Sequence, residues 1–280
     1  YDAGEFEYGD LSGKWGLLNA ASAASAADAF VGTGQGFVAD ATLPLAGDKS
    51  VLGRSIVIHR TDGSRWACVT IPSRIHVTFP DLGAGYPYGT IILYQAAVDA
   101  DLAVTTSLRQ LDGAAAGNKW HVHAFPTDAD GGFDQGCGPA VTGGHFNPTF
   151  KTVTPCPDQA DCEVGDFAGK LGNLGLGVAN ESMAYTDETA SIIYNPTQQT
   201  KGAMWIVGRS IVIHKAEPPY ARWVCANIGD AGMGTTVKFA GTGVPTGTIE
   251  LFQPSLFWPT GMLVNLATAA LEAGGNKWHV

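Results

Sequence analysis

No apolar run in this 280-residue chain approaches the roughly 18 residues that a membrane-crossing helix needs, so a helical membrane protein is not expected. Positive charge is scarce as well. Sixteen Lys and Arg face 26 Asp and Glu, and the net charge of −10 argues against nucleic acid or an anionic membrane surface as partner. Neither an initiator Met nor a signal-like segment stands at Tyr1, which leads to the expectation of a mature or excised protein. Long helix-forming stretches are also few. The 37 Gly and 15 Pro punctuate short β-branched runs such as Ser210 to Ile213 and Thr90 to Tyr94, a pattern of many short strands and turns. The expected class is all-β, with enough mass for two ordinary domains.

Histidine is rare but unevenly placed. Three of the seven, His121, His123 and His145, fall within residues 118–148. Residues i and i+2 of a strand share a face, so His121 and His123 can offer two imidazoles to one ion. His145, on a loop returning past that strand, can supply a third, and His214 closes the apolar run 208–214 as a fourth candidate. Neutral imidazole suits copper, zinc and iron. Each of these histidines alone is as simply read as a surface or hydrogen-bonded core residue; the set points to a metal.

The chain also repeats itself. Residues 7–14 return as 163–170, 53–59 as 208–214, 65–68 as 222–225, 89–91 as 247–249 and 117–122 as 275–280, with offsets of 155 to 158. One period is thus a whole domain. The layout reads as the second half of a repeat (1–73), a complete repeat (74–230) and the first half of another (231–280). In the complete repeat, strands are expected over 88–95, 103–111, 119–125, 191–195, 210–214 and 223–228. Residues 173–190 are expected to form a Gly-rich polar loop, and the Ala-rich counterpart at 19–29 a long loop too. Strands this short and numerous suit a Greek-key sandwich or flattened barrel.

The ordered blocks Trp120-His-Val-His123, Cys137-Gly-Pro-Ala-Val-Thr-Gly-Gly-His145-Phe-Asn-Pro148, Glu163-Val-Gly-Asp-Phe-Ala-Gly-Lys170, Gly208-Arg-Ser-Ile-Val-Ile-His214 and Arg222-Trp-Val-Cys225 resemble copper/zinc superoxide dismutases. The tandem copies are similar to the copper-only superoxide dismutase repeat proteins, which are secreted. The resemblance implies the immunoglobulin-like Greek-key barrel of that family, in tandem repeats. It also implies copper held by His121, His123, His145 and His214. Cys137 would be bonded to Cys225, tying the histidine loop to the last strand; Cys156 and Cys162 bracket a short loop and could close a small ring. Two such bonds point to an extracellular, secreted protein, and the acceptor triplet at Asn180 agrees with secretion.

In the zinc-containing relatives the counterpart of His145 bridges copper to zinc, and zinc takes two further histidines and an aspartate. Residues 146–213 contain no histidine, Asp166 stands in the aspartate's place, and Glu163 stands where the last zinc histidine would be. The expectation is copper and no zinc, because one Asp with one shared His does not make the usual three- or four-ligand site. Only seven residues separate His214 from Arg222, so the long electrostatic loop of the zinc-containing enzymes is missing. Glu163 is expected to orient His145, or else to be a solvated loop carboxylate. Arg222 is expected to guide the anion, or else to bond loop carbonyls. The implied function is dismutation of superoxide to oxygen and hydrogen peroxide by copper(II)/copper(I) cycling, with the proton passing through His145. The alternative is an extracellular copper- or metal-binding structural repeat protein. Residues 1–73 and 231–280 are complementary halves, expected to pair into a second, permuted, copper-free barrel that keeps only His59 and His279 and leaves Cys68 unbonded. Self-association through these halves or through neighbouring repeats is the one macromolecular partnership the layout suggests.

Overall fold

The computed structural model describes residues 7–18, 35–47, 49–127, 136–152, 156–194, 204–229, 233–254, 258–267, 271–272 and 274–280. The stretch 19–29 lies outside them. Among the described residues fourteen strands are formed. They are β1 (Gln35–Asp40), β2 (Ser55–His59), β3 (Arg65–Thr70), β4 (Ser73–Phe79), β5 (Tyr88–Gln95), β6 (Leu102–Arg109) and β7 (Trp120–His123). The remainder are β8 (Glu181–Asp187), β9 (Ser210–His214), β10 (Arg222–Asn227), β11 (Met233–Phe239), β12 (Gly247–Gln253), β13 (Thr260–Leu266) and β14 (Trp278–His279). Residues 74–231 make one compact unit, and residues 1–73 with 232–280 make the other.

In the 74–231 unit the strands run β4-β5-β6-β8 in one sheet and β10-β9-β7 in the other. The chain therefore changes sheet after β6, β7 and β8, which gives crossed connections between antiparallel strands. Alternation decides which face is inward. β6 buries Leu102, Val104, Thr106 and Leu108 and exposes Ala103, Thr105 and Ser107 between them. β5 adds Ile91 and Leu93, and Trp120, Val122, Ile211 and Ile213 come from the other sheet, all of them fully buried.

Residues 1–73 and 232–280 build a unit in the same order. β1-β13-β12-β11 form one sheet and β14-β2-β3 the other. The two stretches are joined by ladder pairs: Phe37 opposes Leu263 in β1 and β13, and Ile58 opposes Trp278 in β2 and β14. In both units a short helix is capped by an aspartate and anchored by a buried ion pair. Asp166 accepts from Gly169 N at 2.8 Å, and Lys170 meets Asp187 with both side chains inaccessible. Asp10 accepts from Gly13 N at 2.8 Å, and Lys14 meets Asp40.

Two expectations about single elements are corrected. Residues 191–195 do not form a strand among the described residues; Ser191 makes one isolated bridge, to Trp205. The reason is a side chain that replaces a ladder. Gln95 Oε1 accepts from Ile192 N at 2.9 Å, Ile193 N at 3.1 Å and Ser191 Oγ at 3.0 Å. The second correction is β8, a seven-residue strand inside the stretch read as a loop. It pairs along its whole length with β6 but lies at a sheet edge with Met183 half exposed, so it shows no apolar alternation to read.

Candidate metal centre

The site is assembled where three backbone segments meet. Val122 N donates to Gly165 O at 2.8 Å, Phe146 N to Val122 O at 2.8 Å, and Gly165 N to Phe146 O at 2.8 Å. Val122 separates His121 from His123, Phe146 follows His145, and Gly165 lies between Glu163 and Asp166. This three-way knot brings the histidine pair, the loop histidine and two carboxylates into one place. A Cβ at Gly165 would collide with the Val122 carbonyl and stand 2.9 Å from Phe146 N, so only glycine allows the approach. His214 arrives from β9, where Trp120 opposes Ile213 and His121 opposes Val212.

The result is four imidazoles whose nearest nitrogens all lie within 4.8 Å of one another. His121, His123 and His214 are buried, while His145 is exposed. Each ring is turned by a partner on its other nitrogen. His123 Nδ1 lies 3.0 Å from Gly143 O and His214 Nδ1 2.8 Å from Tyr220 O, which makes both nitrogens donors. His145 Nδ1 donates to Glu163 Oε2 at 2.7 Å, and the other Glu163 oxygen accepts from Asn147 Nδ2 at 3.2 Å. His121 Nε2 faces Asp166 Oδ1 at 3.5 Å. The opposite nitrogens of the three buried rings, His121 Nδ1, His123 Nε2 and His214 Nε2, have no hydrogen-bond partner. Burial keeps these rings neutral: His123 is pushed down to about 3, and His121 and His214 are lowered as well. Buried nitrogen lone pairs that converge without a proton are what a transition metal needs and what a core otherwise avoids.

Arg222 lies across the ladder from His214. Its guanidinium donates to Cys137 O at 2.9 Å, Thr142 Oγ1 at 2.7 Å and Gly143 O, the carbonyl that also fixes His123. It lines an open cleft together with His214. Cys137 is bonded to Cys225 on β10, and Cys156 to Cys162, which leaves Cys68 exposed and unbonded. The sequence reading missed Gly165, Asn147 and the carbonyls of Gly143 and Tyr220. Only the first had a signal, since Gly9 and Gly165 recur at the same place in the repeated block.

The family model described as copper/zinc superoxide dismutase matches residues 87–237, just over half of the chain. The chain belongs to the copper/zinc superoxide dismutase family. A cell surface Cu-only superoxide dismutase of Arthroderma benhamiae is 34% identical over 46% of this chain and 32% of its own length, so the match spans about a third of that relative. An extracellular Cu-Zn superoxide dismutase of Haemonchus contortus is 27% identical over 72% of this chain and 94% of its own. Superoxide dismutase 5 of Candida albicans, solved as Cu(II), is 31% identical over 57% of this chain and 92% of that chain, with a TM-score of 0.45. No helix among the described residues is long and apolar enough to cross a membrane.

Proposed function

We propose that residues 74–231 form an extracellular copper-only superoxide dismutase, with His121, His123, His145 and His214 as copper ligands. The observation that carries this reading is the convergence of four imidazoles within 4.8 Å, three of them buried with an unpartnered ring nitrogen. Such a donor set fits copper. Copper held there supplies a one-electron couple: one superoxide is oxidised to oxygen, and a second, with two protons, is reduced to hydrogen peroxide. The residues do the rest. Glu163 holds the proton of His145 at Nδ1, which leaves the lone pair on Nε2. Because His145 is the exposed ring of the set, its Nε2 is the position that can take a proton from water and deliver it to the reduced substrate. Arg222, pinned by three acceptors, presents a permanent positive charge at the cleft.

Zinc is disfavoured because the atoms that would hold it are already engaged. The nitrogen of His145 that would face a second metal is bonded to Glu163, and Asp166 caps a helix. No other histidine joins them in the metal-ligand cluster of the described residues. Residues 1–73 with 232–280 are read as a permuted copy of the same repeat without the full ligand set. A copper-binding structural protein is the second reading, favoured by the net charge of −10, which opposes capture of an anion. The two separate by experiment. Copper-loaded, zinc-free protein that removes superoxide catalytically, and loses this with His121→Ala, supports the enzyme; stable copper binding without turnover supports the other.

A further inference from the structure

The unit of residues 1–73 and 232–280 repeats part of the framework that carries the metal centre, on a smaller set of donors. His279 opposes Val57 across the β14–β2 ladder, as His121 opposes Val212 across β7 and β9. His59 N donates to Lys277 O at 2.8 Å, and His214 N donates to Lys119 O at the same distance. An asparagine holds the carbonyl of each strand-end histidine. Asn276 Nδ2 donates to His59 O at 2.7 Å, and Asn118 Nδ2 to His214 O at 2.8 Å. The ring centres of His59 and His279 stand 4.9 Å apart, which is also the separation of His214 and His121.

The donor state of His59 is fixed as that of His214 is. Its Nδ1 lies 2.8 Å from Gly63 O, so Nδ1 donates and the lone pair is left on Nε2. That Nε2 is shut off from solvent and has no hydrogen-bond partner. A buried acceptor without a donor is costly, and folded proteins normally avoid it. Burial, reinforced by His59 beside it, lowers His279 from its ordinary value, so the second ring is neutral as well. Among the described residues only the four-histidine cluster gathers three or more possible ligands, so no Cys, Asp, Glu or further His joins this pair.

We propose that His59 and His279 form a second, two-donor site, selective for copper in its reduced form. Copper(II) and zinc(II) take three or four protein donors, and two imidazoles leave them largely hydrated and easily lost. Copper(I) has a closed d shell and is satisfied by two neutral nitrogen donors in a linear arrangement, without a carboxylate. The orphaned His59 Nε2 supplies one donor and the half-buried His279 ring the other. Oxidation removes the ion's preference for the pair, so protein dialysed in air keeps copper only at the four-histidine cluster. The site does not depend on the dismutase reading, because it needs only the geometry of these two rings.

The test uses the full chain carrying Cys68→Ser, so that the exposed thiol does not take the ion. Copper(I) is titrated under argon, with ascorbate present, against a chromophoric chelator, and the histidine ring nitrogens are followed by NMR. Two equivalents should bind, and the His59 and His279 signals should shift with one of them. His59→Gln and His279→Gln, added singly, should each bind one equivalent. His76→Gln, which removes an exposed histidine on β4, should keep two. Signals of His59 and His279 that stay in place in excess copper(I) overturn the proposal, whether or not the variants fold. A folded His59→Gln or His279→Gln variant that keeps the parent stoichiometry overturns it too. Copper(II) that survives dialysis in air on this pair overturns its selectivity. If the four-histidine cluster itself takes no copper, the total falls by one and the ring signals still decide the pair.

Discussion

His145 and Glu163 are 18 residues apart and meet at 2.7 Å, and the substitutions that separate ligand from orienting group are made here. On the roles proposed above, His145→Ala removes a ligand nitrogen and the exposed proton-transfer position, and should cost far more activity than Glu163→Ala. Loss of an orienting carboxylate typically costs between ten- and a hundredfold in metal affinity or activity. Equal losses of turnover in the two variants at full copper occupancy contradict these roles. Arg222→Ala should cost roughly tenfold, and it combines two losses, because the same guanidinium supports the Gly143 carbonyl bound to His123. Arg222→Lys keeps the charge without the forked grip, so it should recover the salt-dependent part of the rate. If Arg222→Ala leaves both rate and salt dependence unchanged, guidance by this residue is wrong. Protons act on the copper-free site in one direction. Burial holds His123 at about 3 in the folded state, against about 6.5 in an unfolded chain. Between those values the unfolded state binds more protons, so stability falls as pH drops from about 6.5 toward 3. The urea midpoint of copper-free protein should decrease over that window; a flat or rising midpoint contradicts it. The four histidines were legible because a strand places i and i+2 on one face and because the blocks are distinctive. Their hydrogen-bond partners at Gly143 and Tyr220 were not, since a backbone carbonyl carries no side-chain signature.

Among elements, the knot of β7, the His145 loop and the Gly165 turn does most to locate the site. Gly165→Ala should cost roughly 2–3 kcal/mol, as forced overpacking does, and should lower copper affinity by displacing β7 from the loop. Equilibrium urea unfolding together with a copper titration checks both; wild-type values for the two show that the close approach is dispensable. The parallel position in the other unit is Gly9, where Val280 N donates to Gly9 O at 2.9 Å and an added Cβ would strike the Val280 carbonyl. Strands with one buried face, such as β5 and β6, were readable from alternation. β8 was not, because an edge strand that exposes Met183 beside polar residues has no period to show. The reverse error at 191–195 has a clear cause. Ile192 and Ile193 are buried and β-branched, yet Gln95 takes their amides.

At the scale of the whole molecule, internal repetition was the strongest sequence signal, and the recurring strand order in both units accords with it. Seven strands of one unit come from the two ends of the chain, an arrangement that local pattern cannot reveal but offsets of 155 to 158 residues suggest. The two units differ in their donors. Residues 74–231 bring four histidines into one cluster, whereas the other unit has His59 and His279 with ring centres 4.9 Å apart. Reconstituted protein dialysed against buffer should therefore retain one copper per chain and no stoichiometric zinc. A zinc equivalent that survives dialysis contradicts the copper-only centre. Non-reduced, unfolded protein should titrate with one thiol, from Cys68; none, or more than one, contradicts the bonding pattern of the five cysteines.

The most direct measurement is the decay of pulse-generated superoxide in the presence of copper-loaded, zinc-free protein, compared with the same protein carrying His121→Ala. The expected result is catalytic, second-order removal in proportion to bound copper, unchanged when zinc is added and lost in the variant. Decay no faster than in buffer, or acceleration that appears only with zinc, would contradict a copper-only superoxide dismutase.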